Sequence, residues 1–191
     1  MVRNMFNGED IRNLTGKILL STPIIASEYL SKTMVYICKH DEEGAIGVII
    51  NKPIPNLNAH AILKSLKVEV EGVDDINLRF GGLESVDKCF ILHSDDFGEE
   101  NSICITKDIS LTVESDIIRA LAFGRQNKVI CIGCCVWSAQ QLEEEVISGY
   151  WIPIKHDAAL IFGDVSIDKW KKGLLKIGSN SSIILKYSGN A

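Results

Sequence analysis

The side chains best suited to chemistry in this chain of 191 residues are the thiols of Cys131 and Cys134, which form a C-x-x-C motif. In redox enzymes such a motif opens a helix, and the helix dipole lowers the thiol pKa. Here Cys131 falls inside the apolar run 128–132, which predicts a strand, and the next helix is expected only after Ser138. We therefore expect buried, inert cysteines, and Cys38, Cys89 and Cys104, which fall in other predicted strands, are likewise expected to be small core residues. A thiol-dependent enzyme or redox protein that uses Cys131 or Cys134 with His93 is the alternative.

The histidines and glycines show no pattern of a metal, phosphate or hydrolase site. The four histidines lack partners at metal-ligand spacing, and there is no second C-x-x-C. His93 ends an apolar strand after Gly81-Gly82, where it either faces a cleft or bonds to a loop carbonyl, whereas His40 is expected in a solvated hairpin tip. Gly81 and Gly82 match no phosphate-binding loop and indicate a close approach between strands. We expect no metal and no cofactor, and no catalytic residue is nominated.

Strands and helices must position these groups. The clearest signal is a hairpin over 33–53, in which two β-branched runs flank a polar tip. Predicted strands cover 17–20, 33–38, 45–51, 76–80, 89–93, 103–106 and 128–132, and predicted helices cover 58–66, 113–123, 139–148 and 167–175. Because strands come as a run before helices mix in, the order favours an α+β fold over a doubly wound parallel sheet.

The start of the third predicted helix has a distinctive local pattern. Ser138 is expected to be the N-cap residue and Gln141 its capping-box partner, with Trp137 and Leu142 as a hydrophobic staple. Gly149 is expected to end the helix.

Composition and charge limit the class of protein. The net charge of −5 and the scattered basic residues disfavour direct DNA binding. The N-terminal sequence shows no secretory signal, and no apolar run is long enough to span a membrane. We therefore expect a cytoplasmic protein with reduced cysteines, folded as one domain over 1–191 whose segment 1–13 is flexible or loosely packed.

A set of short segments is spread in a fixed order along the chain: Leu14-Thr-Gly-Lys-Ile-Leu-Leu-Ser-Thr-Pro23, Val35-Tyr36, His40, Gly44-Ala-Ile-Gly-Val-Ile-Ile-Asn-Lys-Pro53, Gly81-Gly82, Asp87, Phe90, Leu92-His93, Gly133, Trp137, Gln141-Leu-Glu143 and Trp151. Taken together, these segments resemble the motifs of the AlgH/YqgE family of small bacterial proteins. The chain departs from the family's glycine- and proline-rich G-W-G-P-G-Q-L pattern, because Val136, Ser138, Ala139 and Gln140 surround the tryptophan. An acidic residue usual near Ser27 is also missing.

The resemblance implies an α+β fold with a bent or bifurcated, partly barrel-like sheet surrounded by helices. It implies no reaction, and the family's label of transcriptional regulator is not matched here by a helix-turn-helix pattern. We expect a non-catalytic binding or regulatory protein with an unknown protein or small-molecule partner. A homo-oligomer that uses Tyr150, Trp151 or Trp170 is a further option. The candidate binding residues are Asn51, Gly81, Gly82, His93, Trp137, Gln141 and Glu143.

Overall fold

The computed structural model of the chain describes residues 10–54, 59–67, 78–94, 102–113, 127–163 and 168–177. Its strands are β1 (Ile18–Ser21), β2 (Met34–Asp41), β3 (Gly44–Ile49), β4 (Leu78–Phe80), β5 (Glu84–Ser94), β6 (Ile103–Thr106), β7 (Ile109–Thr112), β8 (Lys128–Ser138) and β9 (Trp151–Ile154). Its helices are α1 (Ala59–Ser65), α2 (Gln141–Ile147), α3 (Ala158–Phe162) and α4 (Asp168–Lys176).

One curled sheet contains these strands in the order β6-β7-β5-β8-β3-β2-β1-β9. It branches at the long strand β8, one edge of which pairs with β5. Along the other edge, residues 130–132 pair with β4 in parallel, and residues 135–138 pair with β3 antiparallel. The branched, half-barrel sheet with surrounding helices confirms the expected α+β fold.

The helices cover the sheet on different faces. Inside the curl, a large apolar cluster combines side chains such as Tyr36, Leu92 and Cys131 with Trp170 of α4. On the outer face, Leu63 of α1 packs with Ile91 and Ile130. A third cluster joins the β2–β3–β8 region to Leu142 and Val146 of α2 and includes Trp137 and Trp151.

The hairpin predicted over 33–53 is present as β2 and β3. Of the other predicted strands, β6 has the predicted bounds, β4 agrees over its described residues 78–80, and the rest are present with shifted ends. Strands β7 and β9 and helix α3 were not predicted, because their apolar runs are short and β9 contains a proline. The predicted helix over 113–123 lies outside the described residues except for Val113. Strand β8 continues six residues beyond its predicted end at Ile132, because its second half pairs with β3.

None of the helices in the described part of the chain has the length and apolar character needed to cross a membrane. Residues 1–9 lie outside the described residues. Ile11, within the predicted loose segment, packs against the cluster that holds Trp137.

Candidate functional site

A polar cluster lies between α2 and the sheet. The strand register aligns His40 with Ala45, and Ala45 with Trp137, so that these three side chains share one face. Helix α2 packs on this face through Leu142 and Val146. We call the group formed by His40, Trp137, Gln141, Glu143, Glu145 and Trp151 the α2 cluster.

Glu145 is the centre of the α2 cluster. Its Oε2 accepts hydrogen bonds from the indole Nε1–H groups of Trp137 (2.9 Å) and Trp151 (2.7 Å). Its Oε1 accepts a bond from Nε2 of Gln141 at 2.9 Å. The two indoles meet edge to face with centroids 6.0 Å apart. The carboxylate therefore fixes both rings, since each bond to a charged acceptor is stronger than a neutral one.

His40 lies between the N-terminal segment and α2, and the expectation of a solvated tip is wrong. Its side chain is buried, because the ring lies in the row with Trp137 beneath α2. The Leu14 N–H donates to Nδ1 at 3.0 Å, so the neutral ring carries its proton on Nε2. That nitrogen lies 3.3 Å from Oε2 of Glu143.

The turn 138–141 is the exposed surface of the α2 cluster. Gln140, which precedes the helix, has a φ of 65°, in the left-handed region that a non-glycine residue rarely occupies. The prediction of Ser138 as the N-cap residue is wrong, because Ser138 still pairs with Gly44 in the sheet and Gln140 is the N-cap residue, with no side-chain cap bond. The reciprocal bond of the predicted capping box is present, since Oε1 of Gln141 accepts from the backbone N–H of Ser138 at 3.0 Å, and it also accepts from the Ser138 hydroxyl at 3.0 Å.

The hairpin tip brings negative charge close to this turn. The pairing of Gly44 with Ser138 places Asp41, Glu42 and Glu43 next to the turn. Lys39 pairs with Asp41 at 2.7 Å and lies 3.8 Å from Glu43. Acidic side chains therefore outnumber this lysine at the hairpin tip.

Asn51 and the two glycines lie apart from the α2 cluster and have structural contacts. Oδ1 of Asn51 accepts a bond from the Met34 N–H at 2.8 Å, and its Nδ2 donates to the Lys32 carbonyl at 2.8 Å. At Gly82, with a φ of +155°, an added Cβ would lie 2.0 Å from the Cys134 carbonyl oxygen, and at Gly81 it would lie 2.2 Å from the Gly133 oxygen. Because neither glycine has a Cβ, the backbone here can approach β8 closely, as the sequence analysis expected.

His93 lies at another place in the sheet, on β5, and is buried. Its Nδ1 is 2.9 Å from the carbonyl oxygen of Ser94, so of the two expectations the bond to a carbonyl is observed, although Ser94 is the last residue of β5 and not part of a loop. Its Nε2 is 3.0 Å from Oγ1 of Thr112 and 3.3 Å from Oγ of Ser102. The structure thus brings Trp137, Gln141 and Glu143 together but leaves Asn51, Gly81, Gly82 and His93 elsewhere.

The thiols do not form a reactive site with His93. Cys131 pairs with Phe90 and packs inside the curl, whereas His93 shares the opposite face with Ile91. Burial raises the pKa of Cys131 to about 12 and also raises that of Cys134. Cys104, which we expected in the core, is exposed. Across the described ranges, His, Cys, Asp and Glu side chains form no group of three able to hold a metal.

Sequence reasoning missed Glu145, Ser102 and Thr112. Glu145 meets Trp137 and Trp151 eight and six positions away, across a strand–helix–strand connection with no fixed spacing rule. Ser102, which directly precedes β6, and Thr112, at the end of β7, both reach His93, and no local pattern marks them.

The family model described as DUF179, AlgH-like, matches residues 18–182. A UPF0301 protein of Hamiltonella defensa is 31% identical over 184 residues, covering 94% of this chain and 100% of its own. One from Photorhabdus laumondii is 32% identical over 186 residues, with the same coverage. The solution structure of the AlgH protein from Pseudomonas aeruginosa superposes with a TM-score of 0.76 at 25% identity, covering 96% of this chain and 98% of that one. A Corynebacterium diphtheriae protein shares the fold, with a TM-score of 0.68 at 18% identity and 96% coverage of both chains.

Proposed function

This chain belongs to the AlgH-like family, and on that premise we propose that it is a binding or regulatory protein that recognises a protein partner through the turn 138–141. The observation that carries the proposal is the left-handed backbone of exposed Gln140 above a partly buried hydrogen-bonded cluster. Strained backbone persists where the surroundings hold it in place, and it concentrates at binding sites. Fixing the turn before binding also reduces the entropy that a partner must overcome.

The charges near the turn favour a protein partner over DNA. Asp41, Glu42 and Glu43 lie beside Ser138, and Glu144 is exposed on α2. Phosphate groups would be repelled there, so regulatory action would pass through another protein. Six free cysteines are typical of a reducing compartment, and we place the protein in the cytoplasm.

A homo-oligomer is the second candidate. Trp151 and Trp170 are buried within one chain and are not available for it. Exposed Tyr150 follows Gly149 in the chain, exposed Ile147 lies two residues before it, and the side chain of Ile24 reaches the same glycine, which gives a small apolar surface. A second copy of the chain could cover this surface.

Site-specific photo-crosslinking in bacterial cells tests the proposal. A benzophenone amino acid replaces Gln140 in one variant and Lys107, exposed on the β6–β7 turn, in the control. We expect a discrete adduct at 140 that is absent at 107. The adduct partner is then purified, and Gln140→Arg should weaken its binding to the purified chain. Equal adducts at both positions, or none at 140, would contradict the proposal, and an adduct between two copies of this chain would favour the homo-oligomer.

A further inference from the structure

Outside the α2 cluster, His93, Ser102 and Thr112 form a group that we call the hydroxyl–imidazole cluster. The Ser94 carbonyl oxygen, 2.9 Å from Nδ1 of His93, can only accept a hydrogen bond, so in the neutral ring Nδ1 carries the proton. Nε2 is then a basic lone pair. It faces the Thr112 hydroxyl at 3.0 Å and the Ser102 hydroxyl at 3.3 Å.

The two hydroxyls are also joined to each other, with Oγ of Ser102 lying 2.7 Å from Oγ1 of Thr112. The two shortest contacts therefore form a path for a proton from Ser102 through Thr112 to His93. Thr112 and His93 are buried, whereas Ser102 is half-buried. Ser102 is the member of the cluster that a molecule from solution can reach.

A positive charge lies in the same part of the sheet. Lys128 of β8 is the direct cross-strand neighbour of His93, so both side chains lie on one face, and opposed Cβ atoms in such pairs are about 5 Å apart. Lys128 is partly buried. Because β8 and β6 lie on opposite sides of β5, Lys128 neighbours His93 rather than Ser102.

We propose that Ser102 is an acyl-accepting nucleophile, with His93 as its general base and Thr112 as the proton carrier between them. The arrangement satisfies the geometric requirement for an activated hydroxyl, namely a base within hydrogen-bonding distance that is oriented by a third group. The third group here is a carbonyl oxygen rather than a carboxylate. The substrate class is a small ester or thioester whose acyl carbon can approach the half-buried hydroxyl.

The reaction balances without any further reagent. Ser102 Oγ bonds to the acyl carbon while its proton passes through Thr112 to Nε2 of His93. The bond from the acyl carbon to the alcohol or thiol breaks, and the leaving group takes the proton from Nε2. Water then attacks the acyl-serine, gives a proton to Nε2, and releases the carboxylic acid as Ser102 regains its hydrogen.

This site is separate from the turn 138–141, so the two proposals can fail independently. A protein that binds through α2 and transfers an acyl group at β5–β7 would be a regulator with an activity of its own.

The test uses the full chain with p-nitrophenyl acetate and follows acetylation by peptide mass spectrometry. We expect acetyl-Ser102 in the wild type and none in Ser102→Ala. Thr112→Val, which removes the hydroxyl and keeps the shape, should slow acetylation by roughly 100-fold, at the low end of general-base effects. Thr112→Ser, which keeps a hydroxyl, should acetylate at close to the wild-type rate.

His93→Gln should slow the reaction at least as much as Thr112→Val. If that variant does not fold, the valine and serine variants at position 112 still decide the question. Cys104→Ser removes an exposed competing nucleophile and should leave acetylation of Ser102 unchanged. Acetylation confined to Cys104 or lysines, or equal rates for Thr112→Val and Thr112→Ser, would overturn the proposal.

Discussion

Replacing Glu145 with glutamine tests whether the carboxylate holds the α2 cluster together. In the native chain one oxygen accepts two indole N–H groups, and the other accepts the Gln141 amide. In Glu145→Gln the amide oxygen can still accept both indoles. Its NH₂ group would then oppose the NH₂ group of Gln141, which cannot turn over without losing its bonds to Ser138.

The expected loss of stability follows from these bonds. Hydrogen bonds to a charged group contribute about 1.5–3 kcal/mol each, and neutral ones about 1 kcal/mol. Glu145→Gln weakens two bonds and breaks a third, so we expect a loss of about 2–4 kcal/mol in the free energy of unfolding. Glu145→Ala leaves two buried indole N–H groups without their acceptor and should lose about 2–6 kcal/mol. Against a typical total of roughly 5–15 kcal/mol, the alanine variant is close to unfolding.

Urea denaturation measures the loss, because Trp137 and Trp151 report on the cluster by fluorescence. Glu144→Gln, one position earlier on the same helix but exposed, is the control and should stay within about 0.5 kcal/mol of the wild type. A double-mutant cycle of Glu145→Gln with Trp151→Phe should show coupling of at least about 0.5 kcal/mol. If Glu145→Gln unfolds at the same urea concentration as the control, the carboxylate does not organise the cluster.

Three further predictions concern other parts of the chain. His40→Phe removes the acceptor for the Leu14 N–H and should cost about 1–3 kcal/mol, with faster hydrogen exchange at that amide; unchanged exchange would contradict the bond. Gly82→Ala should lower the melting temperature strongly, because its Cβ would overlap the sheet backbone, and a melt like that of the wild type would refute this close approach. In the native protein, iodoacetamide should alkylate the exposed Cys104 first at pH 8. Cys131 should stay unmodified, because burial raises its pKa to about 12 and the reactive thiolate forms only as the pH rises toward that value. Early labelling of Cys131 would contradict its burial.

Local pattern was enough to predict the elements whose signal lies within one segment. The hairpin 33–53 alternates apolar runs with a polar tip, and the structure places β2 and β3 there. The extension of β8 to Ser138 was not predictable in the same way. The small residues Gly133, Cys134 and Cys135 follow Ile132 and interrupt the alternation of apolar and polar side chains that would indicate a strand. Pairing with β3 over 135–138, and the pairing of Cys134 with Glu84 of β5, make that segment a strand.

In the candidate site too, some residues could be identified from local sequence pattern, whereas their partners from distant segments could not. Trp137, Gln141 and Glu143 were identified from the sequence, and they do converge around α2. The partners that determine their geometry come from distant segments, since His40 bonds to Leu14 across 26 positions and Glu145 joins strands on both sides of its helix. His93 was identified without Ser102 and Thr112, because proximity between strands β5, β6 and β7 is a property of the sheet order.

The branch at β8 also determines the order in which the chain can fold during synthesis. The β2–β3 hairpin can form soon after it leaves the ribosome, but its outer neighbour β8 follows much later in the chain. Strand β1 can pair with β9 only after an even longer part of the chain has been synthesised, and the nearby hydrogen bond from Thr22 to Gly149 joins residues 127 positions apart. Such long separations slow folding, because loop entropy is lost before the contacts are gained. The nascent chain therefore exposes the open edges of β1 and β3 until most of the protein has been made, and a chaperone that covers strand edges would raise its yield.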